Sequence, residues 1–353
     1  MSHNAIIPKV TVGLDLGDKK SCVYAVDAEG ACISETTVST SLVGLTRYFT
    51  TGTGWRVVME VGTHSPWVSR HLEELGHEVI VANPSAMYGA RRRRKRNDPL
   101  DAEFLARQGR ADVRLLYPIQ HRGLEAQQHL ELIRARDQLV QARTKLVNHV
   151  RGAAKAQGTR ISKCSTESFP KRAAAELPPE IAPAVTAVLE IITVLTKKIA
   201  AYDAAVLKLV RTKYPVARRL QQPAGVGPLT ALAFVILVED PTRFARSRDV
   251  GAYFGLVPRL DESSQSQPQL RISKAGDELG RRLLVQAAHY ILGRFGPDCD
   301  LRRYGEAIAK RGGKNAKKRA AVAVARKLAV LLHHLWLSEQ DYDPSHQLKR
   351  RAA

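Results

Sequence analysis

The sequence predicts a mixed α/β domain at the N-terminus, a long helical region in the middle and a mainly α domain at the C-terminal end. Three observations carry this prediction. Short apolar runs of strand length, punctuated by glycine, fill the stretch up to residue 82. Apolar residues then recur at helical spacing between residues 124 and 209. Beyond residue 220, glycine-marked turns separate apolar stretches of helix length.

The first strand is Val10-Thr-Val-Gly-Leu-Asp15, closed by Gly17. Ser21–Val26 and Ala31–Val38 follow across the turn residues Asp27 to Gly30, which suits a three-stranded meander. Trp55-Arg-Val-Val-Met-Glu60 is the next strand, stopped by Gly62. A helical stretch over Pro66–Leu75 leads to His77-Glu-Val-Ile-Val-Ala82, which Asn83-Pro84 terminates. In Asn97-Asp-Pro-Leu-Asp101, Asn97 or Asp98 suits a helix cap and Pro99 a first turn. The resulting order, β-β-β-α-β-α-β-α, resembles an RNase H-like (RuvC-like) domain.

Four acids stand where these strands end or helices begin: Asp15, Glu60, Asp98 and Asp101. Residues three apart share a helix face, so Asp98 and Asp101 point the same way. Glu60 follows Val-Val-Met, where a carboxylate is costly unless paired or metal-bound. Hard oxygen donors in such number suit Mg²⁺, and chemistry at a phosphodiester needs a cation against its developing negative charge.

The composition agrees. Lys and Arg number 55 against 34 Asp and Glu, a formal charge of +21, so a polyanion is the expected partner. The 353 residues allow two or three domains, with 44% hydrophobic residues to build their cores. Cys22, Cys32, Cys164 and Cys299 show no metal-ligand spacing. Neither a signal peptide nor an apolar run of membrane-spanning length stands out, so a reducing cytoplasm is expected.

The positive charge is clustered. Arg91, Arg92, Arg93, Arg94, Lys95 and Arg96 immediately precede the Asp98/Asp101 pair, where they would hold substrate phosphates. A second cluster, including Lys314, Lys317 and Lys318, follows Gly312-Gly313 and opens an apolar helix. Aromatic residues make up only 6% of the chain, so base stacking is a minor expectation.

In the middle region, Leu132/Ile133, Leu139/Val140 and Leu146/Val147 repeat every seven residues in a helix from Leu124 to Ala156. Val188, Ile192, Leu195, Ile199, Tyr202, Val206 and Leu209 alternate by three and four, a coiled-coil seam. The segment from Thr159 to Pro179 lacks such a period. The seam fits an intramolecular hairpin or a dimerisation arm, and the arm is the expectation carried forward. Farther on, Gly225-Val-Gly227 before an apolar helix has the pattern of a helix-hairpin-helix, whose turn directs backbone N–H groups at phosphate. His289, within Leu283-Leu-Val-Gln-Ala-Ala-His289, reads as a packed core histidine.

Taken together, Gly13-Leu-Asp-Leu-Gly17, Met59-Glu-Val-Gly62 and Asn97-Asp-Pro-Leu-Asp-Ala-Glu103 resemble the DEDD domain of the IS-one-ten family of insertion-sequence transposases. That domain is itself similar to a Holliday-junction resolvase. Gly255-Leu-Val-Pro-Arg259 and Arg271-Ile-Ser-Lys-Ala-Gly-Asp277 resemble the family's C-terminal transposase domain. The resemblance implies a RuvC-like DEDD domain over residues 1–117, a helical coiled-coil region over 118–215, a transposase domain over 216–340 and a basic tail over 341–353. It further implies DNA strand cleavage and rejoining, Mg²⁺ on the four acids, and a serine nucleophile. Ser263 falls at the matching place, while Ser264 occupies the position where the family has glycine, so Ser264 and Ser266 are held in reserve. Arg259, Arg271, Lys274, Arg281 and Arg282 would surround it as phosphate ligands. The implied partners are DNA, both element ends and target, a bridge RNA that pairs with them, and further copies of the chain as dimer or tetramer, with no membrane.

Two other readings share parts of this sequence. A RuvC-like structure-selective nuclease would use the same carboxylates with water as nucleophile and would leave Ser263 dispensable. An actin-like sugar kinase shares the Val12-Gly-Leu-Asp-Leu-Gly17 loop but needs a second phosphate loop and an adenosine motif, which this chain lacks.

Overall fold

The computed structural model describes residues 10–87, 98–259 and 270–346. They form two compact units, Met1–Arg122 and Gly123–Ala353.

The first unit runs β1 (Val10–Asp15), β2 (Lys20–Asp27), β3 (Cys32–Ser39), α1 (Leu42–Phe49), β4 (Arg56–Glu60), α2 (Ser65–Glu74), β5 (Glu78–Ala82), α3 (Pro84–Met87) and α4 (Asp98–Ala111). The strands form one sheet in the order β3-β2-β1-β4-β5. The meander β1–β2–β3 is antiparallel, whereas β4 and β5 join parallel to β1 through helical crossovers. Val12, Leu14, Val57 and Met59 enter a core closed by Leu45 and Phe49 of α1 and Val68 and Leu72 of α2. Alternation sends Val58 and Val26 to the opposite face, where Leu105, Ala102 and Ala106 of α4 cover them. Sheet order and coverage agree with the expected mixed α/β domain. Beyond that expectation lie the short α3 and a 3₁₀ turn at Val113–Leu116.

The second unit is helical: α5 (Leu124–Ala156), α6 (Phe169–Glu176), α7 (Ala182–Thr212), α8 (Pro215–Arg219), α9 (Pro228–Val238), α10 (Val250–Tyr253), α11 (Glu278–Leu292), α12 (Asp300–Ala309) and α13 (Ala316–Ser338). α5 and α7 pack against each other. The start of α5 meets the end of α7 through Leu130, Ile133, Val206 and Val210. Its end, at Val147, Val150 and Ala154, meets the start of α7 at Val185, Leu189 and Ile192. The pair is therefore an antiparallel hairpin, and the seam expected to form a dimerisation arm is filled by the chain's own helix. Between the apolar ends, polar contacts close the hairpin: Arg136 to Asp203 at 2.6 Å and Arg143 to Thr196 at 3.1 Å. The connecting segment folds back, with Phe169 of α6 fully buried against the hairpin tip.

One continuous core joins this hairpin to α9, α11 and α13, so the helical region and the C-terminal helices form a single unit. α9 is apolar on all sides because it lies inside that core. By length and composition α13 is apolar enough to cross a membrane, contrary to the sequence expectation. Half of that stretch is buried within the unit, where Val324, Leu328 and Leu332 belong to the core. Residues 341–346 are no free tail. Tyr342 N–H donates to Gln222 Oε1 and Asp300 N–H to the Pro344 carbonyl.

Candidate active site

Asp15 ends β1 and Glu60 ends β4. The two strands run parallel with Leu14 paired to Met59, so both acids leave neighbouring strands at the same level. Since Leu14 and Met59 enter the core with α1 and α2, Asp15 and Glu60 belong to the α4 side of the sheet. This is also where the sheet's connections reverse direction, the place where open α/β sheets bind ligands beyond the carboxyl ends of their strands.

Gly13 is what lets α4 reach these acids. A Cβ there would stand 1.9 Å from the Ala102 carbonyl oxygen and 2.6 Å from the Ala106 nitrogen. From the helix side, a Cβ at Gly109 would stand 2.3 Å from Val58 Cγ2. Two bare backbones thus put α4 directly on the sheet, and its first turn carries Asp98 and Asp101 to Asp15. Arginines hold the helix down. Arg56 Nη1 donates to the Gly109 carbonyl at 3.1 Å, and Arg110 Nη1 to the Ala28 carbonyl at 3.0 Å. None of this was visible in the sequence, where Gly13 read as part of an apolar strand.

The electrostatics record the gathering of charge. The Asp15 carboxyl rises from an ordinary 3.8 to about 6, first through burial and then through Asp98, Asp101 and Glu60. The other three predicted acids are therefore grouped around Asp15. They do not close on one point: among the described residues no three His, Cys, Asp or Glu side chains are set to hold a single ion. Two further groups at these strand ends escaped sequence reasoning. His64 Nε2 lies 3.6 Å from Asp18 Oδ1. Cys22 pairs with Asp15 across β1 and β2, its thiol pushed up by burial.

In the second unit, Gly255–Arg259 pairs with Arg271–Lys274 as a short antiparallel ladder. Arg259 N–H donates to the Arg271 carbonyl at 2.9 Å, and Ser273 N–H to the Val257 carbonyl at 2.8 Å. Gly255 has φ +65°, and a Cβ there would stand 2.2 Å from the Ala275 carbonyl oxygen, so the ladder needs glycine at its base. Ser263, Ser264 and Ser266 lie outside the described residues, in the stretch of sequence from 260 to 269. Arg259, Arg271 and Lys274 are exposed on these arms. Arg281 and Arg282 are engaged elsewhere: Arg281 Nη1 donates to the Ala275 carbonyl at 3.0 Å, and Arg282 pairs with Asp137 at 2.6 Å. In this structure they act as internal ties.

The other predicted contacts divide similarly. Gly225, at φ +82°, packs on α11, since a Cβ would stand 2.7 Å from the Ala287 carbonyl oxygen. Gly227 caps α9 with open space around it, so it alone of the pair leaves a helix N-terminus accessible. Lys314, Lys317 and Lys318 are exposed at the start of α13. Cations at that end oppose the helix dipole, a cost that a bound anion removes. Arg91 to Arg96 lie outside the described residues. His289 is exposed; the buried histidine here is His333, held by Ser247 at 3.0 Å and by the Pro241 carbonyl at 2.8 Å.

Comparison with known proteins bears on both units. A transposase family model of the DEDD IS110 type matches residues 12–156, and the model of the transposase IS116/IS110/IS902 family matches residues 217–304. The transposase for insertion sequence element IS1111A of Coxiella burnetii is 32% identical over 255 residues, covering 70% of this chain and 68% of that protein. The transposase for insertion sequence element IS1328 of Yersinia enterocolitica is 28% identical over 331 residues, covering 92% of this chain and 96% of that protein. The acids at the sheet ends and the ladder of the second unit thus each fall within a matched region, and the chain belongs to the IS116/IS110/IS902 family of insertion-sequence transposases.

Proposed function

We propose that this transposase cuts and rejoins DNA strands through Ser263 and depends on Mg²⁺ held by Asp15, Glu60, Asp98 and Asp101. The observation that carries the reading is the grouping of Glu60, Asp98 and Asp101 around Asp15 on the α4 side of the sheet. Their chemistry fits the cation, because they are hard oxygen donors and their mutual repulsion is what a divalent ion relieves. When bound, Mg²⁺ would supply positive charge against the oxyanions that develop at phosphorus.

The rest of the chemistry falls to the chain's own side chains. The Ser263 hydroxyl gives up its proton to solvent as Oγ attacks a backbone phosphorus, an Oγ–P bond forms, and the bond from phosphorus to one sugar oxygen breaks. The electron pair leaves with that oxygen, which takes up a proton, and the DNA end remains as a phosphoserine diester. Attack by the hydroxyl of a second strand reverses these steps and frees the serine. Arg259, Arg271 and Lys274, on the ladder that flanks Ser263, hold phosphates on either side of the reacting one. The cluster Arg91 to Arg96 adds non-specific backbone affinity.

The partners of this reaction are element-end DNA, target DNA and a bridge RNA that selects both, and the active form contains two or four copies of the chain in the cytoplasm. A basic, aromatic-poor composition supports delegation of sequence choice to base pairing, since such a protein is suited to backbone and shape more than to base edges. Strand exchange between element-end and target DNA, assayed with purified chain, the element's own transcript and Mg²⁺, tests the reading. Omission of the cation should abolish product, and omission of the transcript should abolish site choice. A RuvC-like nuclease would draw on the same carboxylates, and it predicts cleaved strands without joined ones.

A further inference from the structure

The second unit contains a groove of about 1460 Å³ that brings residues of separate sequence motifs together. Small-molecule pockets measure roughly 300–1,000 Å³, so this one suits an extended ligand. Its floor is apolar and includes Leu256, Ile272, Tyr304 and Leu331. Its walls carry Arg248, Arg271, Lys274, Lys318, Arg326 and Lys327, contributed by segments from residue 248 to residue 327.

The cations of this wall lack acid partners among the described residues. Away from it, arginines are mostly tied to acids: Arg134 to Asp277, Arg136 to Asp203, Arg282 to Asp137 and Arg302 to Glu306. Arg248, Arg271, Lys274, Lys318 and Arg326 form no ion pair among the described residues. The acids lining the groove are engaged: Asp300 with Arg303 at 2.8 Å, Asp341 with Gln222 at 2.9 Å and Asp343 with the Ser345 N–H at 3.0 Å. Lys327 Nζ stands 4.5 Å from the Tyr304 ring centroid, and the Arg326 stem runs along Gly251, where a Cβ would stand 2.9 Å from its Cγ. Unpaired cations are thereby held around an apolar floor, an arrangement that repels itself until an anion enters.

We infer that this groove binds single-stranded nucleic acid, with phosphates on the cationic wall and unpaired bases on the floor. A duplex keeps its bases stacked inside and presents phosphate alone, so it leaves the floor unused; a single strand satisfies both surfaces. Arg271 and Lys274 belong both to the groove and to the ladder, whose arms adjoin the Ser263 segment in sequence, and on the proposed function the strand in the groove is the one leading to the reacting phosphate. That assignment of the strand rests on the proposed function; the groove's preference for single strands does not.

The test is a fluorescence titration of the full-length chain with a labelled dT oligonucleotide, its RNA counterpart and a DNA duplex, at several salt concentrations. Arg248→Gln, Lys318→Gln and Arg326→Gln together keep side-chain bulk and remove three charges. Lys197→Gln, Lys198→Gln and Lys208→Gln, on the exposed side of α7, form the control, with near-UV circular dichroism to establish folding. The groove triple should weaken single-strand binding at least tenfold and reduce the salt slope by about 2, at roughly 0.7 per phosphate contact. The control should change it less than twofold. DNA and RNA losses of equal size identify the phosphate-and-base groove as common to both, and a larger loss for one names the strand it carries. Equal losses in the two triples, or a loss on duplex with none on single strands, would overturn the proposal. Tight oligonucleotide binding by a chain that performs no strand exchange would sink the recombinase reading and leave the groove standing.

Discussion

Replacing Asp15 with Asn should stabilise the first unit while destroying its chemistry, and the size of the gain follows from the charge around it. The Asp15 carboxyl rises from 3.8 to about 6, with burial the first cause and Asp98, Asp101 and Glu60 the others. At face value that rise means the charged side chain destabilises the folded unit by about 3 kcal/mol. Asp15 is only half-buried, and solvent screening reduces the figure to roughly 1–1.5 kcal/mol. A folded-state value above the unfolded one means that the folded chain holds the proton more tightly. The penalty is therefore absent below about pH 3.8, grows between there and about pH 6, and is fully present above. Asp15→Asn should raise the melting temperature of the unit by about 4–6 °C at pH 7.5 without divalent cation, and the gain should vanish near pH 4. Mg²⁺ should raise the melting temperature of the wild type and leave the variant unmoved, because ligand stabilises only the form that binds it. Calorimetry over this pH range with and without Mg²⁺ reads all three effects. A variant no more stable than wild type at pH 7.5, or one that responds equally to Mg²⁺, would refute the reasoning.

Other perturbations test separate steps. Gly13→Ala forces a Cβ into the α4 backbone, so it should cost about 3 kcal/mol, the upper range for overpacking, and abolish strand exchange by displacing Asp98 and Asp101; a melting curve like that of wild type contradicts the contact. Neutralising Arg91 to Arg96 should lower the salt slope of duplex binding by up to about 5, and an unchanged slope would mean that the cluster makes no phosphate contacts. Ile192→Asp or Ile199→Asp buries an unpaired charge in the α5–α7 hairpin and should cost roughly 3–5 kcal/mol. Reduced mass in light scattering with unchanged melting would instead return that seam to a contact between copies.

Much of the first unit was legible because its strands are apolar runs ended by glycine or by a carboxylate, and a strand's period also fixes its inward face. The acids at the ends of β1 and β4 could be singled out for the same reason. What brings α4 to them could not, because Gly13 matters for what it lacks, and only the packed helix reveals the gap it leaves. The periodicity over residues 132–147 lies well within α5, which spans the expected Leu124 to about Ala156. Periodicity names the apolar side of a helix without naming what fills it, so the same pattern that predicted α7 left open whether α5 or a second copy would cover it. The cationic groove is illegible for a related reason: its charges lie up to 79 positions apart between Arg248 and Lys327, and only the tertiary fold sets them around one floor. Arg281 and Arg282 show the converse, cations near the motif whose hydrogen bonds turn them inward.

The central claim is that strand chemistry passes through a serine, and trapping the intermediate tests it most directly. Wild-type protein reacted with labelled element-end DNA and Mg²⁺, then denatured, should yield a protein–DNA adduct that peptide mapping assigns to Ser263. Ser263→Ala, which removes one oxygen from a polar segment, should give neither adduct nor cleavage while retaining DNA affinity. An adduct on Ser264 would move the nucleophile by one residue. Cleavage at the wild-type rate by both Ser263→Ala and Ser264→Ala, with no adduct from any of the three proteins, would contradict the account and make water the nucleophile.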